Sequence, residues 1–121
     1  MTIEKQITFV RPLPGLAPYI DYAFREVDGA AGLHTLRSAD GIVRLFLVRI
    51  GFERYAGEKA LHDAVARLGG EEAEIFAVAS VDDDGVHVNL RAPVLISRTK
   101  AVGEQVILEN AALPVSGTLV A

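Results

Sequence analysis

Three histidines, His34, His62 and His87, are the first side chains of this sequence to weigh for metal binding, since a neutral imidazole is a common metal ligand. None has a second histidine about three to five residues away, so a metal site would have to be assembled wholly by the fold. They read as ordinary surface or rim histidines. Two acidic clusters come next, Glu71, Glu72 and Glu74, then Asp82, Asp83 and Asp84. A calcium loop needs acidic ligands at alternate positions and a distant bidentate Glu, and here Val86 and Val88 fill the alternate positions. The clusters read as a helix-to-strand connection and a solvated hairpin tip, able at most to steer a basic partner.

Other chemistry is missing from the sequence. Asp28-Gly29-Ala30-Ala31-Gly32 and Arg67-Leu68-Gly69-Gly70 lack the spacing of a phosphate-binding loop, and no serine sits in a Gly-x-Ser-x-Gly elbow. Having no cysteine excludes thiol catalysis, disulfides and zinc sites of the Cys type. The sequence therefore predicts no catalytic residue, no cofactor and no metal. One set of charges remains: the strand arginines Arg44, Arg49, Arg91 and Arg98, which a small β-barrel carrier or enzyme could gather around an anionic small molecule.

The elements that must position these residues are mostly strands. Thr2 to Val10 alternates, with Ile3, Ile7 and Phe9 on one face, until Pro12, Pro14, Gly15 and Pro18 impose an ordered loop. Tyr19 to Val27 and Leu33 to Ala39 read as strands. Asp40-Gly41 reads as a tight hairpin with positive φ at both central positions, leading into a central strand from Ile42 to Ile50. Glu58 to Leu68 breaks the strand period: Leu61, Val65 and Leu68 form one stripe of a short helix that Gly69-Gly70 ends. Then come a strand from Ala73 to Val81, a hairpin turn over Asp82 to Gly85, two strand pieces from Val86 to Ser97 joined at Ala92-Pro93, a polar turn from Lys100 to Gly103, and a last strand from Glu104 to Leu108. The expected fold is mainly β: a compact, single-domain, β-barrel-like structure over residues 1–121 with one short helix, and a flexible tail from about residue 109.

Of the 121 residues, 50% are hydrophobic and 23% charged, the balance of a folded protein. With 12 basic and 16 acidic residues the net charge is -4, which repels phosphate backbones and predicts no direct nucleic-acid ligand. The first residues lack the basic and apolar regions of a signal peptide, and no apolar run approaches the roughly 20 residues of a membrane helix. A cytoplasmic protein without membrane contact is expected.

Local rules do not explain why Asn89-Leu90-Arg91-Ala92-Pro93 joins two apolar strands, or why Gly103-Glu104-Gln105-Val106 follows. Asn89 is expected to support the bend by hydrogen-bonding local backbone, with Leu90 and Pro93 fixing the strand exit. These two segments closely resemble the Asn-Leu-x-Ala-Pro and Gly-x-Gln-Val segments of the flagellar assembly factor FliW family. Pro14-Gly15-Leu16, Leu36-Arg37-Ser38 and Phe46-Leu47-Val48 resemble earlier segments of that family in the same order. The chain departs from the family pattern at Leu16, where an aromatic is usual, at Arg37, where a glutamine is usual, and in its tail. The resemblance implies a non-enzymatic barrel that binds flagellin and, alternatively, the RNA-binding translational repressor CsrA, as a partner switch. Asn89, Leu90, Ala92 and Pro93, with Leu36 and Ser38, are the partner-binding candidates. A shallow apolar surface beside Asn89 to Pro93 would fit that reading, and a deep pocket lined by the four arginines would fit a carrier.

Overall fold

The computed structural model describes residues 4–118. Ile3, expected on the first strand, lies outside the described residues, as does the end of the tail. Among the described residues eight strands form: β1 (Glu4–Phe9), β2 (Asp21–Glu26), β3 (Leu33–Ser38), β4 (Arg44–Arg49), β5 (Ala73–Asp82), β6 (Gly85–Ser97), β7 (Val102–Gln105) and β8 (Gly117–Thr118). They follow in the order β5-β4-β3-β2-β1-β7-β6-β8, and a further pairing of β5 with β6 closes the first seven into a barrel. Closure removes the unpaired edges that an open sheet would present. Neighbours are antiparallel except β1 and β7, which run parallel with Thr8 opposite Val102 and Phe9 opposite Gly103.

Strand alternation builds two cores. Ile7, Phe9, Tyr22, Phe24, Leu36 and Leu47 point into the barrel, where Phe76, Val94 and Ile96 meet them from β5 and β6. The alternate residues of β5 and β6, among them Ile75, Ala77 and Leu95, point outward and are covered by the helix α1 (Lys59–Leu68) and by the 3-10 turn Phe52–Tyr55. Both faces of β5 are thus buried, which is why Ala73 to Ala79 reads as an almost unbroken apolar run. The expected helical stripe is present: Leu61, Ala64 and Leu68 are buried and Val65 partly so, and Gly69 ends the helix at φ 122° with its N–H on the Val65 carbonyl.

Two turns differ from expectation. At Asp40-Gly41 only Gly41 takes positive φ, at 76°. Asp40 stays out of that region because its carboxylate accepts from the Ser38 hydroxyl at 2.7 Å and the Ile42 N–H at 3.0 Å, and so organises a wider loop between β3 and β4. The polar turn before β7 lies at Arg98 to Ala101, not Lys100 to Gly103. Ala101 closes it at φ 57° and gives its carbonyl to the Thr8 N–H at 3.0 Å, so the strand begins two residues early.

Gly103 shows what the Gly-x-Gln motif does for the barrel. A Cβ built on it would meet Phe9 ring carbons at 2.9 Å, so the parallel pairing of β1 with β7 depends on a missing side chain. Gly103→Ala is expected to destabilise the protein by about 1 to 3 kcal/mol through overpacking. Urea denaturation checks this, and Phe9→Leu introduced beside Gly103→Ala should cost less than it does in the wild type. Purely additive effects would mean that the ring does not set the constraint.

Candidate functional site

Strand β6 carries the Asn-Leu-x-Ala-Pro segment as a wide bulge. Val78 of β5 stands opposite Asn89 and Phe76 opposite Val94, so Ala77 alone faces the stretch from Leu90 to Pro93. Those bulged residues lose their ladder partners, and buried backbone groups without partners are costly. The rest of the chain supplies replacements. The Leu90 N–H donates to the Pro114 carbonyl at 2.9 Å, and the Leu90 carbonyl accepts from the Tyr55 hydroxyl at 2.6 Å. Asn89 Oδ1 accepts from the Arg91 N–H at 3.0 Å, the local bond expected of it. The carbonyls of Arg91 and Pro93 accept from Leu108 and Val106 N–H, and that of Ala92 accepts from Gln105 Nε2 at 3.0 Å. Proline suits position 93 because it brings no N–H to satisfy. Burial raises the Tyr55 hydroxyl to a pKa of about 12, so it remains a donor across the physiological range.

Beside the bulge lies a shallow groove of about 320 Å³ lined by Pro14, Asn89, Arg91, Ala92, Gln105, Ile107 and Val115. Ile107 is 62% exposed and Val115 54%, large apolar side chains that no core covers. The alternation Val106-in, Ile107-out, Leu108-in was available to sequence reasoning and points Ile107 at solvent; nothing in the sequence singles out Val115. The segment following Leu108, which has no sequence period, lies against the barrel. Arg91 Nε and Nη2 donate to the Leu113 and Ala111 carbonyls at 2.9 and 3.2 Å, and Asn110 Nδ2 donates to Glu58 Oε1 at 2.7 Å.

The partner-binding candidates separate in space. Asn89 and Ala92 line the groove, Pro93 is buried beneath the bulge, and Leu90 packs into the helix-side core. Leu36 is buried inside the barrel and Ser38 is buried at the β3 turn, holding Asp40 and Val43; neither lines the groove. The four strand arginines are also dispersed. Arg91 holds the C-terminal segment, Arg49 and Arg98 both pair with Glu74, and Arg44 lies over the Phe46 ring at 5.5 Å. Among the described residues they line no common cavity.

Histidine 34 is neither a surface nor a rim residue. It is 2% exposed, its ring stacked on Phe24 at 4.8 Å and edge-on to Phe76 at 5.0 Å, because β3 turns it into the barrel interior opposite Leu47. Arg98 Nη2 lies 3.2 Å from its Nε2. The guanidinium is always charged and can only donate, so Nε2 accepts and the ring is held neutral. Burial, then the Arg98 charge, lowers its pKa below the ordinary histidine value. His87 accompanies Asp82 at 3.0 Å on the β5–β6 hairpin, and His62, on α1, lines a shallow surface with Phe52 and Val65. Among the described residues no three potential metal ligands cluster.

The chain is a small mainly-β protein: a closed seven-strand barrel with a helix laid on one wall and a shallow, partly apolar groove beside the β6 bulge. The family model described as FliW protein matches residues 1–119, and the chain belongs to that family. A crystal structure of the flagellar assembly factor FliW shares the fold, with a TM-score of 0.70 at 19% sequence identity, covering 93% of this chain and 83% of that one. Comparison with curated proteins gives no match. No helix among the described residues is long and apolar enough to cross a membrane.

Removing either of two side-chain supports of the bulge, Asn89 or Tyr55, should be measurable. Asn89→Ala strands the Arg91 N–H and Tyr55→Phe strands the Leu90 carbonyl, and each is expected to cost about 1 to 3 kcal/mol in chemical denaturation. Unchanged stability in both variants would show that solvent replaces these bonds.

The buried histidine predicts a pH dependence. A base whose folded pKa is depressed stabilises the fold fully above its unfolded value and loses that contribution as pH falls, here from about 6.5 downward. Asp40, Asp63 and Asp82 are shifted below the ordinary carboxylate value, so their contributions fade only at lower pH. The urea midpoint should therefore drop on acidification through the histidine range, and His34→Gln, which can still accept from Arg98, should flatten that step. An unchanged step in the variant would assign it elsewhere.

Proposed function

We propose that this protein is a flagellar assembly factor that binds newly made flagellin and, alternatively, antagonises the translational repressor CsrA, acting in the cytoplasm as a partner switch without catalysis. The match of the FliW family model over residues 1–119 is the observation that carries this reading. The name of the structurally similar protein, flagellar assembly factor, agrees with it. The groove supports the flagellin part, since exposed Ile107 and Val115 flank hydrogen-bonding Asn89 and Gln105, a mixture suited to an amphipathic protein segment. The dispersal of Arg44, Arg49, Arg91 and Arg98 removes the geometric basis for a carrier built from them.

The repressor part rests on charge. A basic RNA-binding surface approaching a molecule of net charge -4 is steered by its field, and the exposed Asp83 and Asp84 stand at the tip of the β5–β6 hairpin. Neutralising Asp82 to Asp84 should slow association with the repressor and leave dissociation little changed.

Co-purification from a flagellated native extract tests the assignment, followed by competition between purified flagellin and repressor. Flagellin should be captured, and the two partners should exclude one another. Ile107→Glu with Val115→Glu should weaken flagellin binding by about tenfold or more with an unchanged melting temperature, as loss of an apolar anchor does. Capture of neither protein by the wild type would overturn the assignment, and undiminished binding by the double variant would move the flagellin surface away from the groove.

A further inference from the structure

We infer that the edge of β6 beneath the C-terminal segment is a strand-addition site, which an extended, uncharged peptide segment of a partner takes in place of residues 110–118. On this edge β7 reaches only Val94 to Ser97, and nearer the hairpin β6 is covered by β8, with Val88 opposite Gly117 and His87 opposite Thr118. With that segment lifted, Val88 to Leu90 becomes an open edge. Such an edge is a ready template for another chain.

The segment lies on the barrel without being built into it. From Glu109 to Gly117 no residue is buried, and among them only Leu113 packs against the helix-side core. Beneath it Val88 is 2% exposed. The chain just before it is anchored differently, since Leu108 is buried and its N–H donates to the Arg91 carbonyl at 2.8 Å. Four exposed residues, Glu109 to Ala112, join the anchored part to the rest. A stretch with so little apolar burial belongs to the low-stability end of a fold, so it opens on its own while the barrel stays closed.

What holds the segment defines what can replace it. The Leu90 N–H, Arg91 Nε and Arg91 Nη2 donate to the carbonyls of Pro114, Leu113 and Ala111, groups that every peptide carries. Among the described residues, side-chain recognition is limited to the Leu113 seat and to Asn110 Nδ2 on Glu58 Oε1. The present occupant, Asn110 to Thr118, bears no charge. The site therefore reads an extended backbone first and one leucine-sized side chain second. Occupation by a partner also changes the groove: Arg91 lines both surfaces, and Val115 leaves the groove wall with the segment, so the two are not filled together. None of this chemistry calls on flagellin or the repressor.

The test uses the full chain, with a synthetic peptide of the sequence of residues 110–118 as the probe. In amide hydrogen exchange the Leu90 N–H should exchange about a hundredfold faster than the Leu108 N–H, because only the former is freed when the segment opens. Added peptide, at about millimolar concentration to rival a tethered segment, should give saturable shifts at Val88, Leu90 and Arg91. A peptide with alanine at its leucine position should bind about tenfold more weakly. His87→Cys with Thr118→Cys locks the segment down, since the two stand opposite one another and the chain has no cysteine of its own. Oxidation of this variant should slow exchange at Leu90 and abolish the peptide response, and reduction should restore both. Equal exchange at Leu90 and Leu108, or a peptide response that survives the lock, would overturn the proposal. So would dimers that grow with concentration while the peptide gives no response, which would assign the edge to a second copy of the chain.

Discussion

One constraint organises this molecule: β6 has to serve different neighbours along its length, pairing with β5 and β8 in its first half and with β5 and β7 in its second. A straight strand cannot do this and also close a small barrel, so β6 bulges from Leu90 to Pro93, at the cost of a run of backbone groups removed from the ladder. Each replacement partner brings a distant part of the chain to one place. Tyr55 brings the 3-10 turn before the helix, Gln105 the end of β7, Val106 and Leu108 the extended stretch after it, and Pro114 the C-terminal segment. The groove is a by-product of this convergence, because its walls are the segments recruited to satisfy the bulge.

Electrostatics secure what the backbone arranges, by one device used twice. Glu104, 4% exposed on β7, receives Arg11 at 2.7 Å and Arg67 at 2.9 Å, which fastens the proline-rich loop and the helix to the barrel wall. Glu74, 15% exposed, receives Arg49 and Arg98 and joins β4 to the turn beyond β6. In each case the arginines are half-exposed and keep much of their hydration while the carboxylate is the group removed from water. Stranding the carboxylate would therefore be far worse than stranding an arginine, and two donors per carboxylate guard against it. The bonding of Arg98 to both Glu74 and His34 explains how a neutral histidine comes to rest among phenylalanines at that end of the barrel.

Periodicity made the strands, the helix and the barrel class legible, since alternation and the 3.6-residue stripe are local properties. What stayed hidden depended on contacts across the sheet. Gly103 looked like part of a turn because its reason is the Phe9 ring, nearly the whole chain away across a parallel pairing that no local signal announces. His34 looked like a rim residue because single histidines are ambiguous; only the cross-strand position opposite Leu47 turns it inward. The tail seemed shapeless since its order comes from Arg91 and Asn110, not from a period of its own. Of the groove, Asn89 and Ala92 were legible through their motif, whereas Val115 reaches it only because the bulge holds Pro114.

The barrel also fixes how its surfaces can communicate. The groove is built on β6, β7, the C-terminal segment and Pro14 of the loop after β1, and the concavity holding Arg25, Arg37 and Arg44 on β2 to β4 with Glu4 of β1. Coupling between the two has to pass through the barrel interior, where Leu36 of β3, Phe76 of β5 and Val94 of β6 belong to one packed cluster. Such a core transmits a change only if it has a second arrangement that the two ligands favour differently. Phe76 and Val94 pair at the edge of the bulge, so a ligand that altered the bulge would press first on those two side chains and then on Leu36. Leu36 itself is buried in that cluster and does not line the groove.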